Sequence, residues 1–271
     1  EQEDQAIDLM DLGLSYVNNG LFSEAALYFS EALDYNSNNL NLDFFTNFFP
    51  YDSTLYGNML NAFSFSTDQD SSYAKYFFKA FFHESGSKAY ENIRTYIDNK
   101  PQDIRGKMFY ANLFFNENIW IDALFHYEQV SLMDNLNINA RMGSAMCLYF
   151  LGEHEDAIEK FNNLLKIDPY QHKAFYYLGL SQIEIENYSS AIKNLTQSLL
   201  LDPNNDEIYY NLGKAYYNNK KIMQAREAFN RAISLNSQNG NAFYYQGIIN
   251  ENIMEIENAI FSYNRALEYS P

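Results

Sequence analysis

Residues 206–239 read DEIYYNLGKAYYNNKKIMQAREAFNRAISLNSQN, and this stretch of 34 residues decides the fold. Gly213 lies twelve residues before Ala225, and Phe229 follows four residues after that alanine. Residues four apart share one face of a helix, so Ala225 and Phe229 predict a packed face. The small Gly213 predicts that a preceding helix approaches this face closely. The stretch therefore predicts two helices packed against each other.

The same spacing recurs along the chain with a period of 34 residues. The alanines of this column are Ala89, Ala123, Ala157, Ala191, Ala225 and Ala259. Pro101, Pro169, Pro203 and Pro271 are separated by multiples of the same period, and each is expected to end a second helix. A helix pair cannot bury its apolar face alone, so successive pairs are predicted to stack into a solenoid.

These residues resemble the tetratricopeptide repeat family, whose pattern has an aromatic residue, Leu-Gly, Tyr, Ala and Phe within 34 residues. The residues that carry the resemblance best are Tyr209, Leu212, Gly213, Tyr216, Ala225, Phe229 and Ala232. The resemblance implies an all-α fold, a right-handed α-solenoid of antiparallel helix pairs.

The period divides the chain into an N-terminal extension, six complete or nearly complete repeats after residue 69, and one repeat near the start. The divisions are 1–5 (extension), 6–39 (repeat), 40–69 (degenerate repeat or insertion), and the repeats 70–103, 104–137, 138–171, 172–205, 206–239 and 240–271. The role of residues 40–69, which break the period, is left open.

Charge excludes some classes of partner. The chain has 18 Lys and Arg against 35 Asp and Glu, a net charge of −17, which argues against nucleic acid as the main ligand. Residues 1–74 contain acids but no Lys or Arg, so a basic partner is one interpretation of this segment and a solvated surface is the other. No apolar run is long enough to insert into a membrane.

Catalytic patterns are absent from the sequence. The four histidines lack metal-ligand spacing, and neither phosphate-binding glycine motif occurs. Cys147 lies in an apolar helical stretch without a histidine partner, which is typical of a core residue. We therefore expect a protein that is not an enzyme and needs no cofactor or metal.

The resemblance implies that the first helices of the repeats present a concave face to a peptide. The residues at the matching positions form the predicted binding face: Phe78, Phe82, Met108, Asn112, Met142, Met146, Tyr149, Lys173, Tyr176, Tyr177, Tyr210, Lys214, Tyr217, Tyr244 and Tyr245. The competing interpretation is that some of these rings fill the core between helices, and about half are expected to be exposed.

The leading hypothesis is an interaction scaffold that binds a segment of another protein with apolar or aromatic anchors and basic residues. One alternative is the substrate-recognition part of a larger enzyme or membrane-anchored protein. Another is a cell-envelope lipoprotein that assists outer-membrane or secretion assembly. The compartment, envelope or cytoplasm, is left open. The apolar last helix, with Ile256, Ile260 and Leu267, also predicts self-association.

Overall fold

The computed structural model describes residues 86–99 and 101–269, together with residues 8, 9, 12, 15, 16 and 28. It divides into two compact units, 1–147 and 148–271, and each is described by itself. The described residues form eleven helices and contain no strand. The all-α fold class predicted from the sequence is confirmed.

The first unit contains helices α1 (Gly86–Asn99), α2 (Ile104–Asn116) and α3 (Trp120–Met133) and most of α4 (Ile138–Leu151). Consecutive helices pack together from α1 to α3. The core between α2 and α3 includes Ala111, Ala123 and Tyr127, all of which are buried. Ala123 belongs to the alanine column, so the predicted small residue does lie at a helix contact.

The second unit contains the end of α4 and seven further helices. These are α5 (His154–Ile167), α6 (His172–Glu184), α7 (Tyr188–Leu201), α8 (Asp206–Asn218), α9 (Ile222–Leu235), α10 (Gly240–Asn252) and α11 (Ile256–Tyr269). Each helix from α5 to α11 packs against the next, and α6 also contacts α8. Short turns join the helices, which makes neighbours antiparallel. We call α2, α4, α6, α8 and α10 the first helices and the helix that follows each one a second helix.

Close packing within the pairs α6–α7, α8–α9 and α10–α11 depends on the glycine of the first helix. A β-carbon added at Gly179 would lie 2.7 Å from Cγ of Leu195, and one at Gly213 would lie 2.6 Å from Cε1 of Phe229. Ordinary carbon contacts are about 3.5–4.0 Å, so a larger residue has no room there. The glycine spacing in the sequence therefore corresponds to a real contact between helices.

Asparagine side chains cap the first turn of three helices in the unit 148–271. The side-chain oxygens of Asn187, Asn205 and Asn239 accept hydrogen bonds at 3.3, 3.2 and 2.9 Å from the backbone N–H three residues later. Each such cap stabilises a helix by about 1 kcal/mol. These asparagine caps thus mark the residues at which α7, α8 and α10 begin.

The turn inside each pair places one residue in the left-handed backbone region. These residues are Asn118, Gly152, Glu186, Lys220 and Met254, with φ between 59° and 83°. They are spaced by 34 residues, so the repeat extends to backbone conformation. Only Gly152 adopts this region without steric cost.

Several predicted divisions lie outside the described residues: the extension 1–5, the segment 40–69 and the first part of the repeat 70–103. Within 6–39, the described residues are helical, and the rings of Tyr16 and Tyr28 stack at 5.0 Å. The repeat boundaries as a whole stay a prediction.

Candidate functional site

The residues of the predicted binding face fall into three groups. Phe78 and Phe82 lie outside the described residues. The buried group is Met108, Asn112, Met142, Met146 and Tyr176. The group that is at least partly exposed is Tyr149, Lys173, Tyr177, Tyr210, Lys214, Tyr217, Tyr244 and Tyr245, all in the unit 148–271.

The buried group has a structural reason for its burial. Met108 packs in the core between α2 and α3, and the Tyr127 hydroxyl donates a 2.6 Å hydrogen bond to Oδ1 of Asn112. Met142 and Met146 are each at most 5 % exposed. These side chains offer almost no surface to a partner, so we do not include them in the binding face.

Four aromatic side chains, two from the end of α4 and two from α6, lie close together. We call them the Tyr177 cluster: Tyr149, Phe150, Tyr176 and Tyr177. The Tyr177 ring lies 5.3 Å from that of Tyr149 and 5.2 Å from that of Tyr176. Phe150 is 40 % exposed and lies 6.0 Å from Tyr177. Ring contacts of this kind hold the side chains in place, so a partner meets an ordered surface.

Polar groups of α8 complete the Tyr177 cluster. Nδ2 of Asn211 donates hydrogen bonds of 3.0 Å to the Tyr176 hydroxyl and to the backbone carbonyl of Glu207. Burial raises the pKa of Tyr176, and the negative charge of Glu207 raises this pKa further. The pKa of Tyr149 is raised by burial and then by the charges of Glu184 and Glu207. Both phenols are therefore neutral hydrogen-bonding groups at physiological pH.

A second group of rings lies on α8 and α10, and we call it the Tyr245 cluster: Tyr210, Tyr217, Tyr244 and Tyr245. The Tyr245 ring lies 6.0 Å from Tyr210, 5.7 Å from Tyr217 and 5.8 Å from Tyr244. Tyr245 also stacks at 5.1 Å on the buried ring of Phe229, which anchors the cluster to the core. Tyr244 is 52 % exposed and is the most accessible ring of the cluster.

A cation accompanies the Tyr245 cluster. Nζ of Lys214 lies 5.8 Å from the centre of the Tyr210 ring, within range of a cation–π contact. Burial raises the pKa of Tyr210 to about 12. On α6, burial lowers the pKa of Lys173. The first helices of this unit thus present aromatic rings with charged groups beside them.

The sequence analysis missed the acidic residues of this face. Glu207 precedes Tyr210 by three residues and Asn211 by four, and Glu184 lies two helical turns after Tyr177. That spacing places Glu184 and Glu207 on the helix faces that carry the tyrosines. The same spacing in the sequence could therefore have predicted that they lie on this face. Both side chains are exposed.

Two kinds of functional feature are absent from the described part of the chain. There, no group of three or more His, Cys, Asp or Glu is arranged to hold a metal ion. None of the described helices combines the length and apolar character that a membrane span requires.

The last described helix carries an exposed apolar face. The exposed fractions are 50 % for Ile256, 56 % for Ile260, 55 % for Phe261 and 69 % for Leu267. On the preceding second helix, Ile222 and Ile233 occupy the matching positions of Ile256 and Leu267, and they pack against the core of α9 and α10. Self-association through α11 stays a prediction.

Solved structures share this fold. A MamA protein from Desulfovibrio magneticus RS-1 superposes with a TM-score of 0.56 at 19 % identity, over 68 % of this chain and 95 % of that chain. YrrB, described as a TPR protein with an unusual peptide-binding site, superposes with a TM-score of 0.57 at 21 % identity, over 67 % of this chain and 94 % of that chain.

One curated protein is similar over part of the sequence. It is a probable UDP-N-acetylglucosamine–peptide N-acetylglucosaminyltransferase, SPINDLY, from Solanum lycopersicum, 29 % identical over 96 residues. The match covers 35 % of this chain and only 10 % of the length of that enzyme.

Three family models match the chain directly. Two are described as tetratricopeptide repeat, at residues 139–169 and 207–239, and one as TPR repeat, at residues 183–220. These matches lie on the helix pairs from α4 to α9, where the glycine and alanine columns are most regular. The resemblance to tetratricopeptide repeats is thus confirmed across residues 139–239.

Proposed function

We propose that the chain is a non-catalytic interaction scaffold that binds a segment of another protein on the first helices of the unit 148–271. We call this surface the tyrosine face and define it by the exposed or partly exposed rings of the Tyr177 cluster and the Tyr245 cluster, without the buried Tyr176. The observation that carries the proposal is that these clusters keep their rings ordered and yet partly exposed.

The physical basis is the way that tyrosine contributes to binding. A tyrosine ring buries a large area, loses little side-chain entropy and keeps a hydroxyl for hydrogen bonding. The rings of the tyrosine face already contact one another at 5.2–6.0 Å. Little further ordering is needed on binding, which lowers the free-energy cost of forming a complex.

The tetratricopeptide repeats matched in residues 139–239 support the same proposal. Proteins with tetratricopeptide repeats bind other proteins or peptides, and the description of YrrB names a peptide-binding site. The segment bound here should contribute apolar or aromatic anchors, because the exposed parts of Phe150 and Tyr244 are aromatic. The net charge of −17 makes a basic segment a better partner than an acidic one.

The experiment that tests the proposal is a selection of displayed random peptides on the whole chain. A selected peptide should lose affinity for the variant Tyr217→Ala/Tyr244→Ala by about 30-fold or more, since truncating one buried anchor costs at least about 2 kcal/mol. The matched control is Leu200→Ala/Met223→Ala, because these side chains are 70 % and 69 % exposed on second helices.

The two variants distinguish binding on the tyrosine face from binding elsewhere on the chain. Unchanged affinity for the control variant and weak binding to the tyrosine variant support the proposal. Weak binding to the control variant with full affinity for the tyrosine variant places the site elsewhere and refutes it. Thermal melting of both variants shows whether either change acts through folding.

A second candidate function is substrate recognition within a larger enzyme. The observation that favours it is the 29 % identity with part of a probable peptide glycosyltransferase. The open reading frame that encodes this sequence tests it: a transferase domain in the same frame would support it, and a frame coding for repeats alone would refute it.

A further inference from the structure

Two carboxylates flank the Tyr177 cluster. Glu184 is the last residue of α6 and Glu207 lies in the first turn of α8, and both side chains are exposed. The ion pairs of the described residues include His172–Asp202, Arg226–Glu255 and Arg265–Glu268. Neither Glu184 nor Glu207 takes part in one of these three pairs, and both side chains present their negative charge at the surface.

Both charges act on the same aromatic group. Nδ2 of Asn211 donates at 3.0 Å both to the Tyr176 hydroxyl and to the backbone carbonyl of Glu207, and the charge of Glu207 raises the pKa of that hydroxyl. Glu184 and Glu207 both raise the pKa of the Tyr149 hydroxyl, so both lie within electrostatic reach of it. The Tyr149 ring in turn contacts Tyr177 at 5.3 Å. Aromatic rings and two carboxylates thus converge on one part of the tyrosine face.

This combination selects for a cation. The faces of tyrosine rings attract Lys and Arg, and two nearby carboxylates add to this attraction and repel an acidic segment. We propose that the bound segment carries a Lys or Arg whose cation lies against Tyr149 and Tyr177, between the carboxylates of Glu184 and Glu207. The inference rests on the proposed function and names the chemistry of the segment at this end of the face.

The Tyr245 cluster, at the other end of the tyrosine face, already has a cation of the chain beside it. Lys214 of the chain itself already lies 5.8 Å from the Tyr210 ring, so a second cation at the Tyr245 cluster would meet a like charge. The basic residue of the segment therefore belongs at the Tyr177 cluster and its aromatic or apolar anchors at the Tyr245 cluster. This difference fixes the direction in which the segment lies on the helices.

The test uses the same selection of displayed random peptides on the whole chain. Selected peptides should be enriched in Lys or Arg. The variant Glu184→Gln/Glu207→Gln removes both charges but keeps the size and polarity of the side chains, and it should weaken the binding of such a peptide by about tenfold or more. The matched control is Glu159→Gln/Glu227→Gln, which makes the same change of charge at exposed positions of α5 and α9.

A change in the peptide gives the decisive comparison. Replacing its basic residue by Gln should weaken binding to the wild-type chain by about tenfold and leave binding to Glu184→Gln/Glu207→Gln almost unaltered. Equal weakening by the control variant would show a general effect of charge and overturn the inference. Selected peptides without Lys or Arg that still require Tyr217 and Tyr244 would overturn the inference and leave the proposed function standing. A library without any binder would overturn both.

Discussion

The contact between Gly213 on α8 and Phe229 on α9 allows a quantitative prediction. A β-carbon at Gly213 would lie 2.6 Å from Cε1, 2.7 Å from Cδ1 and 2.8 Å from Cζ of Phe229. Since ordinary carbon contacts are about 3.5–4.0 Å, the ring or the helix must move by about 1 Å. The Phe229 side chain is 0 % exposed and Tyr245 stacks on it, so the ring has little room to move.

Two opposing effects set the magnitude for Gly213→Ala. Overpacking a core costs about 1–3 kcal/mol, whereas Ala in place of Gly inside a helix gains about 1 kcal/mol. The free energy of unfolding should therefore fall by up to about 2 kcal/mol. In a Phe229→Val background the clashing ring atoms are gone, so the same Gly213→Ala change should raise stability by about 1 kcal/mol.

Urea unfolding followed by circular dichroism on the four proteins of this cycle measures the coupling, expected at about 1–3 kcal/mol. Effects of the two substitutions that add to within about 0.5 kcal/mol would refute the helix contact. Gly247→Ala is a matched control, because its β-carbon would meet the ring of Tyr263 at 2.6 Å but that ring is partly exposed and has room to move. Its cost should be smaller.

Three further predictions follow from burial and backbone conformation. Burial raises the pKa of Tyr210 to about 12, so its ultraviolet titration should occur near that pH. Because the unfolded chain releases this proton near pH 10, the free energy of unfolding should fall between about pH 10 and 12. A native Tyr210 that titrates near pH 10 would contradict the burial. Burial likewise raises the pKa of the Cys147 thiol to about 12, so a thiol reagent at pH 8 should react only on unfolding, and rapid reaction with the native protein would oppose this. Gly152→Ala should lower the free energy of unfolding in urea by about 1–2 kcal/mol, because φ is 83° and the added methyl group gains no contact. An unchanged urea concentration at the midpoint of unfolding would argue against the left-handed turn.

The helix pairs could be predicted from the sequence because one spacing determines them. Gly213, Ala225 and Phe229 repeat as residue types every 34 positions, and their sizes alone predict which helices approach closely. The left-handed backbone conformation that recurs in the turn of each pair could be predicted from the sequence only in part. Gly152 signals it, but Lys220 and Met254 adopt the same backbone conformation without any signal in their side chains.

The division of aromatic residues between core and surface could not be predicted from spacing. Tyr176 and Tyr177 are neighbours in sequence, yet Tyr176 is 9 % exposed and bonded to Asn211, while Tyr177 is only partly buried. Which of the two turns inward depends on a side chain of the next first helix, α8, 35 residues away. Asn112 shows the same limit, because its amide oxygen accepts from Tyr127 instead of facing a partner.

The central claim, that a protein segment binds on the tyrosine face, is tested most directly by NMR of the chain with ¹³C-labelled tyrosine rings. Single Tyr→Phe variants assign the signals, and a peptide selected from the displayed library is then titrated in. The account predicts shifts for Tyr149, Tyr177, Tyr217 and Tyr244, and none for Tyr170, which is 77 % exposed in the turn after α5. A shift of Tyr170 with unchanged signals from the four tyrosines of the face would contradict the claim.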